Sequence, residues 1–250
     1  MTPPTSPDPA TLLEVPPETP AAIACAEYDE DGRLRATYHR QGGLLEGVAT
    51  WYNEAGEVVQ QAHFRQGRLH GEMTLYDPMG HLLQRCHYSA GKLDGPAFFY
   101  SQGQLQASVA FRSGVRDGES LAYDEHGQLR EQSSYQNGRR YGQAKYYGAD
   151  GQLVQLASYH NNKLHGTVTQ YYPDGMVREV ASYQEHRLHG DVITYAPDGS
   201  IVAQRHFRAG KLCDTAATVL QPVRSAPEPA PATSDPPWFQ QLLTRIAGGA

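Results

Sequence analysis

The feature that most constrains this sequence is a glycine recurring at Gly47, Gly71, Gly95, Gly118, Gly142, Gly166 and Gly190, in steps of 24, 24, 23, 24, 24 and 24 residues. A second series, Gly32, Gly56, Gly80, Gly103, Gly127, Gly151, Gly175 and Gly199, keeps the same phase. Five residues after each first-series glycine stands a tyrosine: Tyr52, Tyr76, Tyr100, Tyr123, Tyr147, Tyr171, Tyr195. Two after each second-series glycine is an aliphatic residue, from Leu34 to Ile201. Eight after it is a second aromatic column: Phe64, Tyr88, Phe111, Tyr135, Tyr159, Tyr183, Phe207. Internal repeats of this length mean that one supersecondary unit is stacked many times.

Within a unit the spacing is period two, which is that of a strand: Leu82, Gln84, Cys86 and Tyr88 share one face, Leu83, Arg85 and His87 the other. Tyr172-Pro-Asp-Gly175 and Ala196-Pro-Asp-Gly199 are turn sequences, because proline presets φ, aspartate bonds to the turn backbone and glycine takes positive φ. Gly91-Lys-Leu-Asp-Gly95 is expected to form the other connection of the unit. A lone hairpin is marginal in water, so the units must stack. The expected fold is all-β: an elongated, single-layer antiparallel meander of tandem hairpins of about 24 residues, with roughly 15 to 16 strands. The first unit departs, with Tyr38 two places early and Arg40 in the aromatic column. It is expected to be a cap.

The Gly-x-Leu-x-Gly…Tyr…Gly-x-Leu pattern, best seen from Lys163-Leu-His-Gly166 to Tyr171-Tyr-Pro-Asp-Gly175, resembles the MORN repeat family, and more closely its bacterial variant, over residues 28–214. The resemblance implies a non-enzymatic binding protein. It implies an antitoxin or immunity protein that neutralises a partner toxin, or alternatively a scaffold or adaptor tethering two partners.

The ends read differently. Residues 1–27 are Pro-, Thr- and Ala-rich and are expected to be disordered; 215–235 form a Pro/Ala-rich linker. Residues 236–250 follow a capping Asp235, and Trp238, Phe239, Leu242, Leu243 and Ile246 make one apolar stripe of a short helix. About 11 residues of helix are not stable alone, so the stripe needs a surface. That surface is a partner's groove, the protein's own sheet or, least favoured because Arg245 is its one cation, a membrane.

Chemistry is sparse. With 21 Lys+Arg against 27 Asp+Glu and a formal charge of -6, the chain lacks the basic footprint nucleic acid requires. Cys25, Cys86 and Cys213 are odd in number and far apart, which fits a reducing compartment, and the start of the chain does not read as a secretory signal; a cytoplasmic location is expected. His70, His165 and His189 share a turn position, but equivalent places lie two strands apart, about 9.6 Å, too far to share one metal. Asp150, Asp174 and Asp198 are explained by their turns. No catalytic residue, metal or cofactor is expected. One column breaks the symmetry: Trp51, Leu75, Phe99, Ala122 and Tyr146 give way to Gln170 and Thr194. It alternates with the tyrosine column and so should lie on the opposite face from it, either as core or as an exposed docking stripe. The expected partner-binding residues are Trp51, Leu75, Phe99 and Tyr146 on the sheet, with Trp238, Phe239, Leu242, Leu243 and Ile246 in the tail. Open sheet edges allow a monomer or an edge-paired oligomer.

Overall fold

The computed structural model describes residues 21–213. Over that range the chain is one open antiparallel sheet with no helix. Its strands are β1 (Ile23–Tyr28), β2 (Leu34–Gln41), β3 (Leu44–Leu45), β4 (Gly47–Tyr52), β5 (Val58–Arg65), β6 (Arg68–Tyr76), β7 (Leu82–Ser89), β8 (Lys92–Ser101), β9 (Gln104–Arg112) and β10 (Val115–Tyr123). There follow β11 (Leu129–Gln136), β12 (Arg139–Arg140), β13 (Gly142–Tyr147), β14 (Leu153–His160), β15 (Lys163–Tyr171), β16 (Val177–Gln184), β17 (Arg187–Tyr195), β18 (Ile201–Arg208) and β19 (Lys211–Cys213). Each pass pairs with the next. β3 and β4 are one pass interrupted at Glu46, and β12 and β13 one pass interrupted at Tyr141, so β2 pairs with both β3 and β4 and β11 with both β12 and β13.

The sheet begins at Ile23, five residues before the expected start at 28. Ile23–Tyr28 pair with β2 and so belong to the array, not to the Pro-rich segment. The linker 215–235 and the helix 236–250 lie outside the described residues.

Two kinds of turn alternate. The longer one is closed by the second-series glycine amide, as in Gly80 N–H to Asp77 O at 3.0 Å and Gly127 N–H to Asp124 O at 3.0 Å. In the early units an acidic or amide side chain opens the turn and caps it: Asp77 Oδ1 accepts from the Met79 and His81 amides at 2.9 and 2.8 Å. In the later units the aspartate moves to the third place, where Asp150, Asp174 and Asp198 each accept one amide. The single 23-residue step has a simple cause: Tyr100 pairs with Leu105, where the unit before pairs Tyr76 with Leu82. One loop residue is missing.

The other turn is shorter than the sequence suggested. Ala90-Gly91 alone connects Ser89 to Lys92, both residues at positive φ (49° and 82°), as a twisted two-residue hairpin requires. Lys92–Asp94 are already strand. Gly95, expected to end the turn, lies inside β8 at φ 118°, where the register shifts between Cys86 and Tyr88 of β7. It is a bulge. A Cβ there would sit 3.3 Å from the His87 Cβ, and at Gly118 only 2.9 Å from the Ala110 Cβ, so the recurring glycine answers to the neighbouring strand.

Successive units are tied at the short turns. The Gly91 amide donates to Leu69 O at 2.8 Å, Gly114 to Leu93 O at 2.7 Å and Gly138 to Arg116 O at 2.8 Å. The core is a row of small side chains crossing the sheet. Ala49, Ala62, Met73, Cys86, Ala97 and Val109 pair in sequence, and Ala144, Ala157, Val168, Ala181 and Val192 continue the row further on. Aromatic residues flank it on alternate passes: Phe64 on β5, Tyr88 on β7, Phe111 on β9, Tyr159 on β14 and Tyr183 on β16. Burial pushes the Cys86 thiol up to about 11, despite the hydrogen bond it receives from Gln84 Nε2 at 2.8 Å, so at neutral pH this cysteine is a packing group.

Candidate functional site

Directly paired residues share a face, and so do residues two apart on a strand. Trp51 pairs with Gln60, two places from the buried Ala62, so the Trp51 column lies on the packed face. It stands there with the second aromatic column. The first tyrosine column takes the opposite side, as expected from the alternation: the Tyr52 hydroxyl is 3.3 Å from Thr37 Oγ1, and the Tyr147 hydroxyl donates to Gln132 at 3.4 Å.

The column is part of an unbroken cross-strand row: Ala36, Trp51, Gln60, Leu75, Gln84, Phe99, Ala107, Ala122, Glu131, Tyr146, Gln155, Gln170, Glu179, Thr194 and Ala203. It is not a uniform exposed stripe. Trp51, Leu75 and Tyr146 are half-buried, whereas Phe99 is 1% exposed and belongs to the core with Tyr88, Leu93 and Phe111. Phe99, expected among the partner-binding residues of a column read as either core or docking stripe, is core: its ring is packed against β7 and β9. Trp51 meets Phe64 edge-on, with ring centroids 6.2 Å apart. The five tail residues, Trp238, Phe239, Leu242, Leu243 and Ile246, lie outside the described residues.

A second break in symmetry sits beside this row. The residue two before each first-series glycine is Leu45, Leu69 and Leu93, then Arg116 and Arg140, then Leu164 and Leu188. Arg140 is 8% exposed, and every nitrogen of its guanidinium has a partner. Nε donates to the Tyr135 hydroxyl at 2.9 Å, Nη1 to the Tyr146 hydroxyl at 2.9 Å and Nη2 to Glu131 Oε1 at 2.6 Å. The Tyr146 and Tyr159 hydroxyls are 3.0 Å apart. Arg116 lies over the Tyr135 ring, 4.2 Å from its centroid. Burial alone would lower the Arg140 pKa, but Glu131 and the phenolic oxygens outweigh it, and the group is held cationic. Burial likewise pushes the Tyr146 hydroxyl up, so it stays protonated as donor and acceptor. This is a neutralised, hydrogen-bonded cluster, suited to fixing side chains rather than to activating a nucleophile. The signal is present in the sequence as two arginines in a column of leucines.

The repeated histidines brace turns. His70 Nδ1 accepts the Ala90 amide and His189 Nδ1 the Ala209 amide, both at 3.4 Å, while His165 lies 3.7 Å from Glu185. Among the described residues no cluster of three His, Cys, Asp or Glu side chains could hold a metal ion.

Comparison with known proteins bears on this geometry. Five segments match the family profile described as MORN repeat variant: residues 45–66, 69–90, 116–137, 140–161 and 164–185. No curated protein matches the chain. Among solved structures, a GtfA/B complex bound to UDP and GlcNAc is similar at 19% identity over 46% of this chain and 22% of that chain, with a TM-score of 0.21. The chain thus spans about a fifth of that solved chain, and the likeness carries no argument about function.

Proposed function

The chain is a MORN repeat protein, and from that footing we propose that it works without catalysis, by gripping another protein with the Trp51–Leu75 end of its packed face. MORN repeats commonly mediate protein interactions. The observation that carries the reading is the graded row. At its N-terminal end half-buried Trp51 and Leu75 stand in the open row, with the partly exposed Phe64 beside them, whereas Gln170 and Thr194 occupy the same positions at the far end. Large side chains with one covered and one open flank are the usual anchors of an interface, and they gain most when a partner removes the remaining water.

The partner class we propose is a toxin that this protein neutralises, in the cytoplasm. That reading rests on the resemblance to bacterial variant repeats and on a face that offers contact area rather than reacting groups. Co-expression with the product of a neighbouring gene tests it. The expected result is that the neighbouring product arrests growth alone, that co-expression restores growth, and that the two proteins co-purify. Trp51→Ala combined with Leu75→Ala should weaken the complex by at least about tenfold, roughly 1.4 kcal/mol. A neighbouring product that is harmless alone, or rescue that survives the double substitution at full affinity, would sink the proposal.

A further inference from the structure

Each short turn sets two residues directly opposite each other, and the pair that closes β5 and β6 is Arg65 against Arg68. Like charges placed directly opposite across two strands destabilise a hairpin. At other short turns a cation has relief. Arg112 faces Val115 and lies 3.5 Å from Asp117, and Lys163 faces His160 and is paired with Glu185. Arg65 and Arg68 are both exposed, and neither guanidinium has a hydrogen bond or an ion pair among the described residues. Arg208 and Lys211 repeat the arrangement in the last hairpin, but Cys213 stands there where the earlier unit has His70.

The two arginines line a cleft of about 690 Å³, together with Leu44, Glu46 and His70. Arg68 and His70 are two apart on β6 and share a face. His70 Nδ1 accepts the Ala90 amide at 3.4 Å, so the ring carries its proton on Nε2, a donor still to be used. The backbone donors of the two turns are already in use. The Gln66 amide donates to Glu46 Oε2, the Gly67 amide to Leu45 O and the Gly91 amide to Leu69 O, all at 2.8 Å. A phosphate group is usually cradled by free backbone amides, and this cleft offers none of these while it already holds the Glu46 carboxylate. A single further carboxylate suits it better. A guanidinium meets a carboxylate with two parallel N–H donors. Leu44, 52% exposed, gives the chain that carries the carboxylate an apolar wall.

We propose that this cleft binds a carboxylate side chain from an acidic peptide segment of a partner protein, held between Arg65 and Arg68 with the His70 imidazole as a third donor. The occupant follows from charge complementarity. Two cations without partners and one neutral donor face a single carboxylate, Glu46, that is already engaged by the Gln66 amide. Binding removes the repulsion between the arginines, so the empty hairpin is the less stable one and the acidic segment relieves it. Arg65 alternates along β5 with Phe64, which stands on the packed face beside Trp51. The arginine pair is therefore on the other side of the sheet from the Trp51–Leu75 stretch, and its ligand does not depend on what grips that stretch.

The test uses the full chain and a fluorescein-labelled peptide alternating glutamate with glycine, followed by fluorescence anisotropy at low salt. The glutamate peptide should bind saturably, and its glutamine counterpart should not. Arg65→Gln combined with Arg68→Gln should weaken binding by at least about tenfold, whereas Arg208→Gln combined with Lys211→Gln should leave it within about twofold. Without peptide, Arg65→Gln alone should raise the denaturation midpoint, the opposite of what the loss of a structural arginine does. Four results would overturn the proposal. An equal loss from the Arg208 and Lys211 substitutions would reduce the binding to diffuse charge. A midpoint that falls in Arg65→Gln would mean that the pair is already relieved within the fold. Inorganic phosphate that displaces the peptide more strongly than acetate at equal ionic strength would make the ligand a phosphate group. Binding to phosphatidylglycerol vesicles that requires Arg65 and Arg68, with no binding of the peptide, would assign the pair to a membrane surface.

Discussion

The stretch around Phe99 and the stretch around Arg140 are built on equivalent strands two units apart in the same array, and they hold together by opposite means. At β7–β9 the leucine position is Leu93, and the core is a dry cluster of Cys86, Tyr88, Phe99, Val109 and Phe111. At β11–β14 the equivalent position is Arg140, and a guanidinium, a carboxylate and three phenols fill the same space with hydrogen bonds. The backbone ladder is common to both, so the fold itself does not demand either solution. What differs is how each fails: a dry cluster loses energy in proportion to the atoms removed, whereas a polar cluster fails when one partner is taken and the other is left behind.

The largest effect should come from the dry side. Phe99→Ala removes most of a ring that is 1% exposed and is expected to cost about 3–5 kcal/mol, read from chemical denaturation. A cost under about 1 kcal/mol would mean that the site collapses or was never filled. On the polar side, Glu131→Ala leaves the Arg140 charge without its carboxylate. Their side chains are 15% and 10% exposed, so some solvent relieves the penalty, and a loss of about 1–3 kcal/mol is expected. Replacing both, Arg140→Leu with Glu131→Gln, should bring stability back to within about 1 kcal/mol of the parent, because the leucine column is then restored. If the double variant is as damaged as the single one, the two stretches are not interchangeable in the way proposed.

A smaller gain is expected between them. Ser133 stands in the row of small residues at 2% exposure, and its hydroxyl has no hydrogen-bond partner among the described residues. Ser133→Ala should raise stability by about 1 kcal/mol, as a shift in denaturation midpoint with unchanged slope. The smallest effect concerns the turns. Burial pushes the Asp77 carboxyl up, but the His81 amide and imidazole and the Met79 amide outweigh this and hold it below the usual carboxylate range. Asp124 behaves alike: burial raises it, while the Gln128 and His126 amides and Arg130 lower it further. A depressed carboxylate contributes stability that is fully present above its unfolded value, about 3.9, and is lost as pH falls through its folded value. Asp77→Asn combined with Asp124→Asn should therefore lower the midpoint slightly at pH 7, where the carboxylates contribute in full, and flatten the fall in stability below about pH 4. A titration that stays as steep would remove these turns as its cause.

Much of the architecture was legible before any coordinates. The seven-fold column pattern named the hairpin unit, its direction of stacking and its tight turns, because period-two alternation and Pro-Asp-Gly turns are local facts. The face of each residue was less legible. Counting from Gly91 to Gly95 suggested a five-residue connection, whereas the turn is two residues and Gly95 is a bulge inside β8. The expected stripe of Trp51, Leu75, Phe99 and Tyr146 was a true row, but its members differ in burial, and only neighbours on other strands decide that. Arg140 shows the same limit. Its partners Glu131 and Tyr135 come from β11 and Tyr146 from β13, and no spacing in the sequence says that an arginine in a leucine column finds all of them.

By itself, then, the sequence determined the repeat, the strand period and the turn positions, since each depends on residues within one unit. The tertiary structure decided which side of the sheet is packed, which aromatic is closed and which half-open, and whether a buried charge is neutralised. The reason is physical. A one-residue bulge reverses the alternation of a strand, and burial is a property of the side chains opposite, which belong to other units of the array.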